Sequence, residues 1–384
     1  MQPFSFTTTK TLINEAGSLQ ALADHCRSLG IKRPLIVTDP GIVSVKLLDK
    51  LEAALQGSNI EYHCYTDVIA DPPERIVLAA LEAAQLHKAD GIIGFGGGSS
   101  MDTAKLIALL ACSGESLADV YGVDQAKGPR LPLILIPTTA GTGSEVTAVA
   151  IVTTGETTKA GVVSPILLPD IALLDAELTL GLPPHVTAAT GIDAMVHAIE
   201  AYTSIHKKNP YSDMLAREAL QLMAANIETA TKDGQNLEAR QNMLLGACLA
   251  GQAFANAPVA AVHALAYPLG GHFHIPHGLS NSLVLPHVLR FNAEDAAEQY
   301  AELYDVIKPD NTETSAIDKT QALIAYLEQL IETLGLPNRL RDAKVTEESL
   351  TTLASDAMLQ QRLLINNPRE VGEADALAIY QAAY

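Results

Sequence analysis

The amino-acid sequence predicts an α/β domain with a parallel sheet over residues 1–183, followed by an all-helical domain over residues 184–384. Three observations predict this division. With 384 residues, the chain exceeds the size that one hydrophobic core usually serves. In its first half, short apolar runs alternate with helical patterns, which is typical of a parallel sheet with crossover helices. After Leu182-Pro-Pro, only helical periodicity recurs.

The α/β domain contains several short runs rich in Ile, Leu and Val. Most of these runs are followed by Gly, Pro or Asp, which marks a strand that ends in a turn. The predicted strands are residues 34–38, 60–65, 91–95 and 131–136, and the predicted helices are residues 43–55, the segment opened by Pro73, and residues 101–110. From residue 151 to 175, apolar runs alternate with Gly and Pro, which predicts further extended structure.

The second domain repeats apolar residues at helical spacing. The predicted helices are residues 186–204, 211–230, 237–256, 293–307, 319–334 and 347–357. The most apolar segment, Met243–Gly271, is interrupted by Gln252, Asn256 and Pro258. We therefore interpret it as buried helix and not as a membrane span.

Charge and cysteine content narrow the functional classes. The chain has 25 basic and 44 acidic residues, a formal charge of −19. Nucleic acid and anionic membrane surfaces are excluded as expected partners, because phosphates are bound by clustered Lys and Arg. The 4 cysteines are far apart and match no CxxC pattern, which indicates a reducing compartment. The N-terminus shows no basic region followed by an apolar run, so we predict a cytoplasmic protein.

Two loops of the α/β domain have the composition of a nucleotide site. Gly94–Asp102 is glycine-rich and lies between a predicted strand and a predicted helix, where backbone N–H groups attract phosphate. Pro137–Glu145 also follows a strand and carries several hydroxyls. Nucleotides bind at the carboxyl edge of a parallel sheet. The loops together predict a dinucleotide site, although the glycine-rich segment alone also fits a tight turn.

Asp39 ends the first predicted strand. An acidic side chain there accepts hydrogen bonds from ribose hydroxyls and repels a 2′-phosphate, which favours NAD over NADP. The same residue fits the N-cap of the next helix equally well.

Histidines are concentrated in the helical domain, with 8 of the 11 between residues 185 and 287. Asp193 and His197 are four residues apart and share one face of a helix. The stretch His263–His277 carries four histidines. Carboxylate and imidazole together bind first-row divalent metals. A single histidine more often lies in a core or on a surface, but the clustering argues against this explanation for the set.

A dinucleotide site in one domain and a metal site in the other predict a cleft between them. A Lewis-acidic metal activates an alcohol oxygen, and nicotinamide exchanges hydride with the adjacent carbon. The combination predicts an oxidoreductase whose substrate is a small alcohol or aldehyde.

At these residues the chain resembles the iron-containing (group III) alcohol dehydrogenases. The resemblance covers most of the chain in the family's order. It is carried by Gly96-Gly-Gly-Ser99 with Asp102, Thr138-Thr-Ala-Gly-Thr-Gly-Ser-Glu-Val146, Gly191-Ile-Asp-Ala-Met-Val-His-Ala-Ile-Glu200, Pro276-His-Gly-Leu-Ser-Asn281 and Leu285-Pro-His287. It implies a Rossmann-like N-terminal domain and an all-helical C-terminal domain, the dehydroquinate synthase-like architecture. It also implies a homodimer or larger homo-oligomer.

The resemblance further implies cofactors and the residues that bind them. It implies a ferrous ion bound by Asp193, His197, His263 and His277. It implies NAD bound through Gly97, Gly98, Ser99, Asp102, Thr138, Thr139 and Lys159, with the ribose near Asp39. The ligand types also suit Zn²⁺. Zinc-dependent glycerol dehydrogenases of similar fold generally use three protein ligands, whereas all four positions are filled here, which favours iron.

Tyr267 departs from the family pattern. Many members have a second histidine at this position, four residues after the first, and it is assigned to relay the alcohol proton. A phenol is a weaker base than an imidazole at neutral pH, so the proton leaves through Tyr267 or through ribose hydroxyls and water. The predicted catalytic residues are thus His263, His277 and Tyr267. The surrounding sequence also resembles the hydroxyacid–oxoacid transhydrogenase branch, in which 4-hydroxybutyrate-type substrates are oxidised while the cofactor stays bound.

Two other function classes are alternatives. A dehydroquinate synthase-type lyase pairs a similar fold with NAD and zinc, but the four-ligand set and the lack of a basic cluster for a phosphorylated acid argue against it. A metallohydrolase or metal-binding module would use the histidines alone and leaves both loops unexplained.

Overall fold

The computed structural model describes residues 3–155 and 158–384. The chain divides into two units. One comprises Thr7–Gly181, and the other comprises Leu182–Tyr384 together with the segment that ends at Phe6. The first unit contains the strands and the second is helical, which confirms the predicted fold class.

The α/β unit is organised around a six-stranded sheet in which every neighbouring pair is parallel. Its strands are β1 (Thr11–Asn14), β2 (Pro34–Val37), β3 (His63–Tyr65), β4 (Gly91–Gly96), β6 (Leu133–Pro137) and β9 (Ile171–Leu174), in the spatial order β1-β9-β6-β4-β2-β3. Strands β2, β4, β6 and β9 are buried along their whole length, as expected for parallel strands covered on both faces. The four strands predicted from apolar runs are confirmed.

Side-chain alternation along the strands supplies two cores, one on each face of the sheet. On one face, Ile36 and Ile93 belong to a cluster with Leu51 of the helix α3. On the other, Leu35 and Ile92 belong to a cluster with residues of α4 and α5. The helices of this unit are α1 (Leu22–Ser28), α2 (Pro40–Ser44), α3 (Leu47–Leu55), α4 (Glu74–His87), α5 (Gly98–Ser113) and α6 (Leu117–Val120).

Two segments of the α/β unit differ from the sequence prediction. The helix predicted over residues 43–55 is divided into α2 and α3, because Lys46 adopts a left-handed conformation with φ 60°. The extended structure predicted after residue 151 forms a second, three-stranded sheet in the order β5-β8-β7. Its strands are β5 (Gly122–Val123), β7 (Val149–Thr154) and β8 (Thr158–Val163).

The second unit consists of helices, and no described residue after Leu174 lies in a strand. Its helices are α7 (Pro184–Thr203), α8 (Pro210–Lys232), α9 (Leu237–Asn256), α10 (Ala261–Phe273), α11 (His277–Asn292), α12 (Ala297–Ile307), α13 (Ala316–Thr333), α14 (Leu350–Ala357), α15 (Gln361–Leu364) and α16 (Glu373–Ala383). Helix α7 packs against α8, α9 and α11, and α10 packs against α11. This packing brings the starts of α10 and α11 to α7.

No single helix in the described part of the chain has the length and apolar composition to span a membrane. Helices α9 and α10 meet that criterion only when taken together, and they are bent by 106° with respect to each other.

Candidate functional site

Three helices of the second unit bring one carboxylate and three imidazoles together. Asp193 and His197 lie one turn apart on α7, His263 is in the first turn of α10, and His277 is the first residue of α11. One ligand atom from each of the four residues lies within 4.8 Å of all the others. The structure therefore gathers the whole predicted ligand set from helices that are distant in sequence.

The carboxylate of Asp193 is the centre of this cluster. Its Oδ1 lies 4.0 Å from Nε2 of His197, 3.9 Å from Nε2 of His263 and 3.6 Å from Nε2 of His277. Burial alone would raise the pKa of Asp193, but the three imidazoles and a hydrogen bond from Asn281 outweigh it and lower this pKa below its usual value. The aspartate is thus held as an anion in a buried setting.

Packing fixes the imidazole planes. The ring of His197 stacks on Phe254 at 4.3 Å between centroids and on His263 at 4.8 Å. His197 and His263 are 4% and 2% exposed, whereas the side chain of His277 is 37% exposed. Two imidazoles are therefore held inside the protein, and the third borders solvent.

The cluster fits a divalent metal ion. Oxygen and nitrogen ligands at roughly 2.0–2.2 Å from one ion lie about 3–4 Å from each other, which matches the separations around Asp193. Three nitrogens and one carboxylate suit Fe²⁺ or Zn²⁺. The donor chemistry of the four residues is consistent with a site that an ion completes.

The amide nitrogen of Asn281 lies among the ligand atoms. It donates to Asp193 Oδ1 at 2.5 Å and lies 3.3 Å and 3.4 Å from Nε2 of His263 and His277. Asn281 is four residues after His277 on α11 and therefore on the same helix face.

The other predicted residues of this region take separate places. Tyr267 lies one turn after His263, with its ring centroid 5.9 Å from that of His277. His272 pairs with Asp356 at 2.6 Å. His274 is exposed and ends α10 in a left-handed conformation. Tyr267 is thus adjacent to the cluster, and the other two histidines are not among its four residues.

The two predicted nucleotide loops face each other at the ends of β4 and β6. Gly97 is the N-cap of α5, and a side chain built on it would first meet Thr139 at 3.8 Å. A Cβ on Gly98 would lie 3.0 Å from Thr142. Helix α5 has no side-chain cap, so its first N–H groups are a potential anion site. Ser99 follows within the first turn of α5.

Residues beside this helix start support the same geometry. Gly96 has φ 147°, which a side chain rarely adopts, and a Cβ there would lie 3.1 Å from Asp39 Oδ2. Asp39 caps α2 by accepting from Ile42 N and also accepts from Ser100 Oγ at 3.2 Å. The predicted N-cap is confirmed, and the same carboxylate lies next to the glycine loop. Thr138 is buried at the end of β6.

Asp102 connects the two loops within the protein. Its Oδ1 accepts from Ser144 Oγ at 2.6 Å and from Lys105 Nζ at 3.3 Å, and its Oδ2 accepts from Ile151 N at 3.0 Å. These three hydrogen bonds tie the glycine-rich loop to the hydroxyl-rich loop. Lys159 similarly forms an ion pair with Asp71 at 2.6 Å.

Lys105 is fully buried under the same loops. Its Nζ donates to Ser144 Oγ at 2.8 Å, Thr147 Oγ1 at 3.1 Å and Val149 O at 2.8 Å. Burial lowers the pKa of Lys105, an effect that the charge of Asp102 opposes. The ammonium group holds the hydroxyl loop against α5.

The sequence prediction assigned no role to Lys105, Glu200 or Asn281. Their spacing in the sequence could have identified them. Each lies three or four residues from a predicted site residue (Asp102, His197 and His277, respectively) and therefore on the same face of a helix. Glu200 is 3% exposed and lies 2.6 Å from His263 Nδ1.

Comparisons with known proteins match both parts of the chain to one family. The family model described as iron-containing alcohol dehydrogenase matches residues 9–176, and that described as Fe-containing alcohol dehydrogenase family, C-terminal, matches residues 187–384. A long-chain-alcohol dehydrogenase 1 from Geobacillus thermodenitrificans is 41% identical over 371 residues, covering 96% of this chain and 93% of that protein.

Two solved structures show the same fold along the whole chain. A 1,3-propanediol oxidoreductase has a TM-score of 0.96 at 34% identity and covers 100% of both chains. A sulfoacetaldehyde reductase from Bifidobacterium kashiwanohense, solved in complex with NAD⁺, has a TM-score of 0.89 at 29% identity and covers 100% of this chain and 99% of that one.

Proposed function

This chain belongs to the iron-containing alcohol dehydrogenase family, and we propose that it transfers hydride between NAD(H) and a primary alcohol or diol, or the corresponding aldehyde. The observation that carries the proposal is the cluster of Asp193, His197, His263 and His277. We assign metal binding to the helical unit and dinucleotide binding to the unit Thr7–Gly181.

The four clustered residues would hold the metal ion. When bound, ferrous iron supplies Lewis acidity that polarises an alcohol or carbonyl oxygen, and NAD supplies the hydride acceptor. The charges of the protein suit that task, since one anionic carboxylate and three neutral imidazoles leave a divalent ion with net positive charge. Stacking of His197 on Phe254 and on His263 would hold these ligands in place.

Tyr267 is the proposed proton-relay residue. It follows His263 by one helical turn and lies beside the partly exposed His277. Its hydroxyl would take the proton of an alcohol while giving its own hydrogen to water, so that the phenol stays neutral.

The loop residues of the α/β unit would bind the dinucleotide. The uncapped start of α5 at Gly97, Gly98 and Ser99 would receive phosphate oxygens, with the hydroxyls of Thr138 and Thr139 beside it. Asp39 would accept hydrogen bonds from the ribose and disfavour a 2′-phosphate. Asp102 and Lys159 have protein partners, so we propose that they shape the loops rather than carry most of the binding.

Elemental analysis of anaerobically purified protein, combined with a substrate panel, tests this function. We expect one iron per chain and NADH absorbance on mixing with NAD⁺ and a primary alcohol or diol. The His277→Ala variant should lose both metal and turnover while keeping its circular dichroism spectrum. Inactivity across alcohols and aldehydes, or full activity of the variant with metal retained, would contradict the proposal. Zinc in place of iron would change the metal but not the reaction.

A second candidate substrate class is an alcohol that carries an acidic group. The guanidinium of Arg362 lies 6.0 Å from the ring centroid of Tyr267, which places a cation near the proposed proton-relay residue. Arg362 is exposed, so its charge is available to a carboxylate or sulfonate. This class includes 4-hydroxybutyrate-type substrates. Their oxidation would either release the reduced cofactor or, as in hydroxyacid–oxoacid transhydrogenases, keep it bound.

A pair of substrates matched in carbon number separates the two classes. For an acid-specific enzyme, kcat/KM for 4-hydroxybutyrate should exceed that for 1-butanol, and Arg362→Gln should lower only the former, by about tenfold. Hydride transfer to an added 2-oxoacid without free NADH would indicate transhydrogenation. A variant with unchanged kinetics on both alcohols would exclude Arg362 from substrate recognition.

A further inference from the structure

Glu200 is a buried carboxylate that contacts His263 on the ring nitrogen that faces away from Asp193. It lies on α7, one turn after His197, and is 3% exposed. Its Oε2 lies 2.6 Å from His263 Nδ1, and its Oε1 accepts from the backbone N–H of Val262 at 2.7 Å. Both oxygens are therefore directed at the first turn of α10.

The second of these contacts caps α10. This helix begins at Ala261, and its N-cap, Ala260, provides no side-chain hydrogen bond. The first N–H groups of a helix have no partner inside the helix and form its positive end. Glu200 supplies an acceptor and a negative charge there, so it anchors the segment that carries His263.

The first contact determines which nitrogen of His263 is available to a metal. An ionised carboxylate only accepts hydrogen bonds, so the hydrogen between the two side chains belongs to Nδ1. The other nitrogen, Nε2, then keeps its lone pair and faces Asp193 Oδ1 at 3.9 Å. A negative charge hydrogen-bonded to one imidazole nitrogen also makes the other a better electron donor.

We propose that Glu200 is a positioning residue that holds His263 as the Nδ1–H tautomer and thereby prepares the site for its divalent ion. The inference rests on the proposed function only in assuming that the four-residue cluster binds a metal. Removal of such an outer partner typically lowers metal affinity 10–100-fold.

Two variants give a matched test. Glu200→Gln keeps the shape of the side chain but removes its charge and one acceptor. Asp356→Asn makes the same change in the pair of Asp356 with His272, which has the same 2.6 Å separation and lies outside the cluster. Both variants alter one carboxylate–imidazole pair of the helical unit.

The primary measurement is the affinity of the metal-free protein for Co²⁺ alone, by competition with a chromophoric chelator. We expect Glu200→Gln to weaken Co²⁺ binding 10–100-fold and Asp356→Asn to change it less than twofold. Equal affinity of wild type and Glu200→Gln would overturn the inference and leave the proposed function intact. A wild type that does not bind Co²⁺ would instead refute the metal centre itself.

The second measurement reads the tautomer directly and needs no variant that folds. NMR of the metal-free wild type with isotope-labelled histidine should show His263 with its hydrogen on Nδ1. In Glu200→Gln we expect the Nε2–H form to gain population. A wild-type His263 with its hydrogen on Nε2 would overturn the inference even if Glu200→Gln proves insoluble.

Discussion

Gly278→Ala adds a single methyl group and should distort the proposed metal site. Gly278 is the second residue of α11, directly after His277, and it packs on the backbone of α7. A Cβ at this position would lie 2.3 Å from the carbonyl oxygen of Ala189 and 2.8 Å from its carbonyl carbon. In a regular α-helix that oxygen accepts the N–H of the residue four positions later, here Asp193.

The displacement follows from these distances. Real Cβ contacts essentially never fall below 3.0 Å, so the 2.3 Å contact requires α7 and α11 to separate by about 0.7 Å. Metal-ligand distances tolerate only about 0.2 Å. Overpacking of this kind costs roughly 1–3 kcal/mol of folding stability. We therefore expect Gly278→Ala to lower the melting temperature and to weaken metal binding by at least about tenfold, since both His277 and Asp193 move.

Gly270→Ala is the matched control. Gly270 lies in the neighbouring helix α10, and a Cβ there would first meet Ile275 O at 3.6 Å, an ordinary contact. Alanine in a helix interior is favoured over glycine by roughly 0.5–1 kcal/mol, so this variant should be as stable as the wild type or slightly more so. Thermal melts and Co²⁺ titration of both variants provide the comparison. Wild-type metal affinity in Gly278→Ala would show that the helix contact does not set the ligand geometry, and the reasoning would fail.

Three further predictions concern the α/β unit. Gly97→Ala should keep the melting temperature but weaken NAD⁺ binding measured by calorimetry by about tenfold or more, because the added methyl has room in the protein but not beside a phosphate. Lys105→Met should lower the free energy of unfolding by roughly 3 kcal/mol in urea titrations, because it leaves Asp102 partly buried without its cation. Burial tends to raise the pKa of Asp170, but hydrogen bonds from Arg130 and others lower it overall. Stability from Asp170 is therefore fully present above pH about 4 and is lost as the pH falls through the lowered pKa of the folded state, so Asp170→Asn should cost roughly 2 kcal/mol at neutral pH and progressively less in acid.

The strands were predictable because buried parallel strands are continuous apolar runs. Strand β1 was missed, since its residues Thr11–Asn14 are exposed or half-buried and carry no such run. The break at Lys46 was also missed, because a left-handed lysine leaves no mark in the apolar pattern. At both positions the backbone conformation is determined by tertiary structure and not by the local sequence pattern.

Helices α10 and α11 show the same limit at the site itself. Pro268 and Pro286 lie inside them, and proline removes a helical hydrogen bond and usually ends the helix. No helix is predicted over residues 277–292 from the sequence, whereas Gly278 lies in the first turn of α11. The helices persist because nearly all their apolar side chains are buried against their neighbours. The existence of α11 is a consequence of packing that its local sequence does not signal.

The metal-binding chemistry of the candidate ligands was nevertheless predictable from the sequence, because it depends on residue type. The four-residue spacing of Asp193 and His197 predicts that both lie on the same face of one helix. What the sequence could not supply was the partner that orients each ligand, since Glu200 meets His263 only when α7 approaches α10.

Both proposed sites are supported by a charged group buried beneath the residues that would meet the ligand. In the helical unit, Glu200 joins α7 to the start of α10 and so holds His263. In the α/β unit, Lys105 joins α5 to the hydroxyl loop through Ser144 and so holds the glycine turn. A buried charge is costly unless its partners are in place, so each group penalises any arrangement in which the two segments separate. The geometry needed for binding is therefore coupled to the stability of each unit, and loss of either charge should impair ligand binding and folding together.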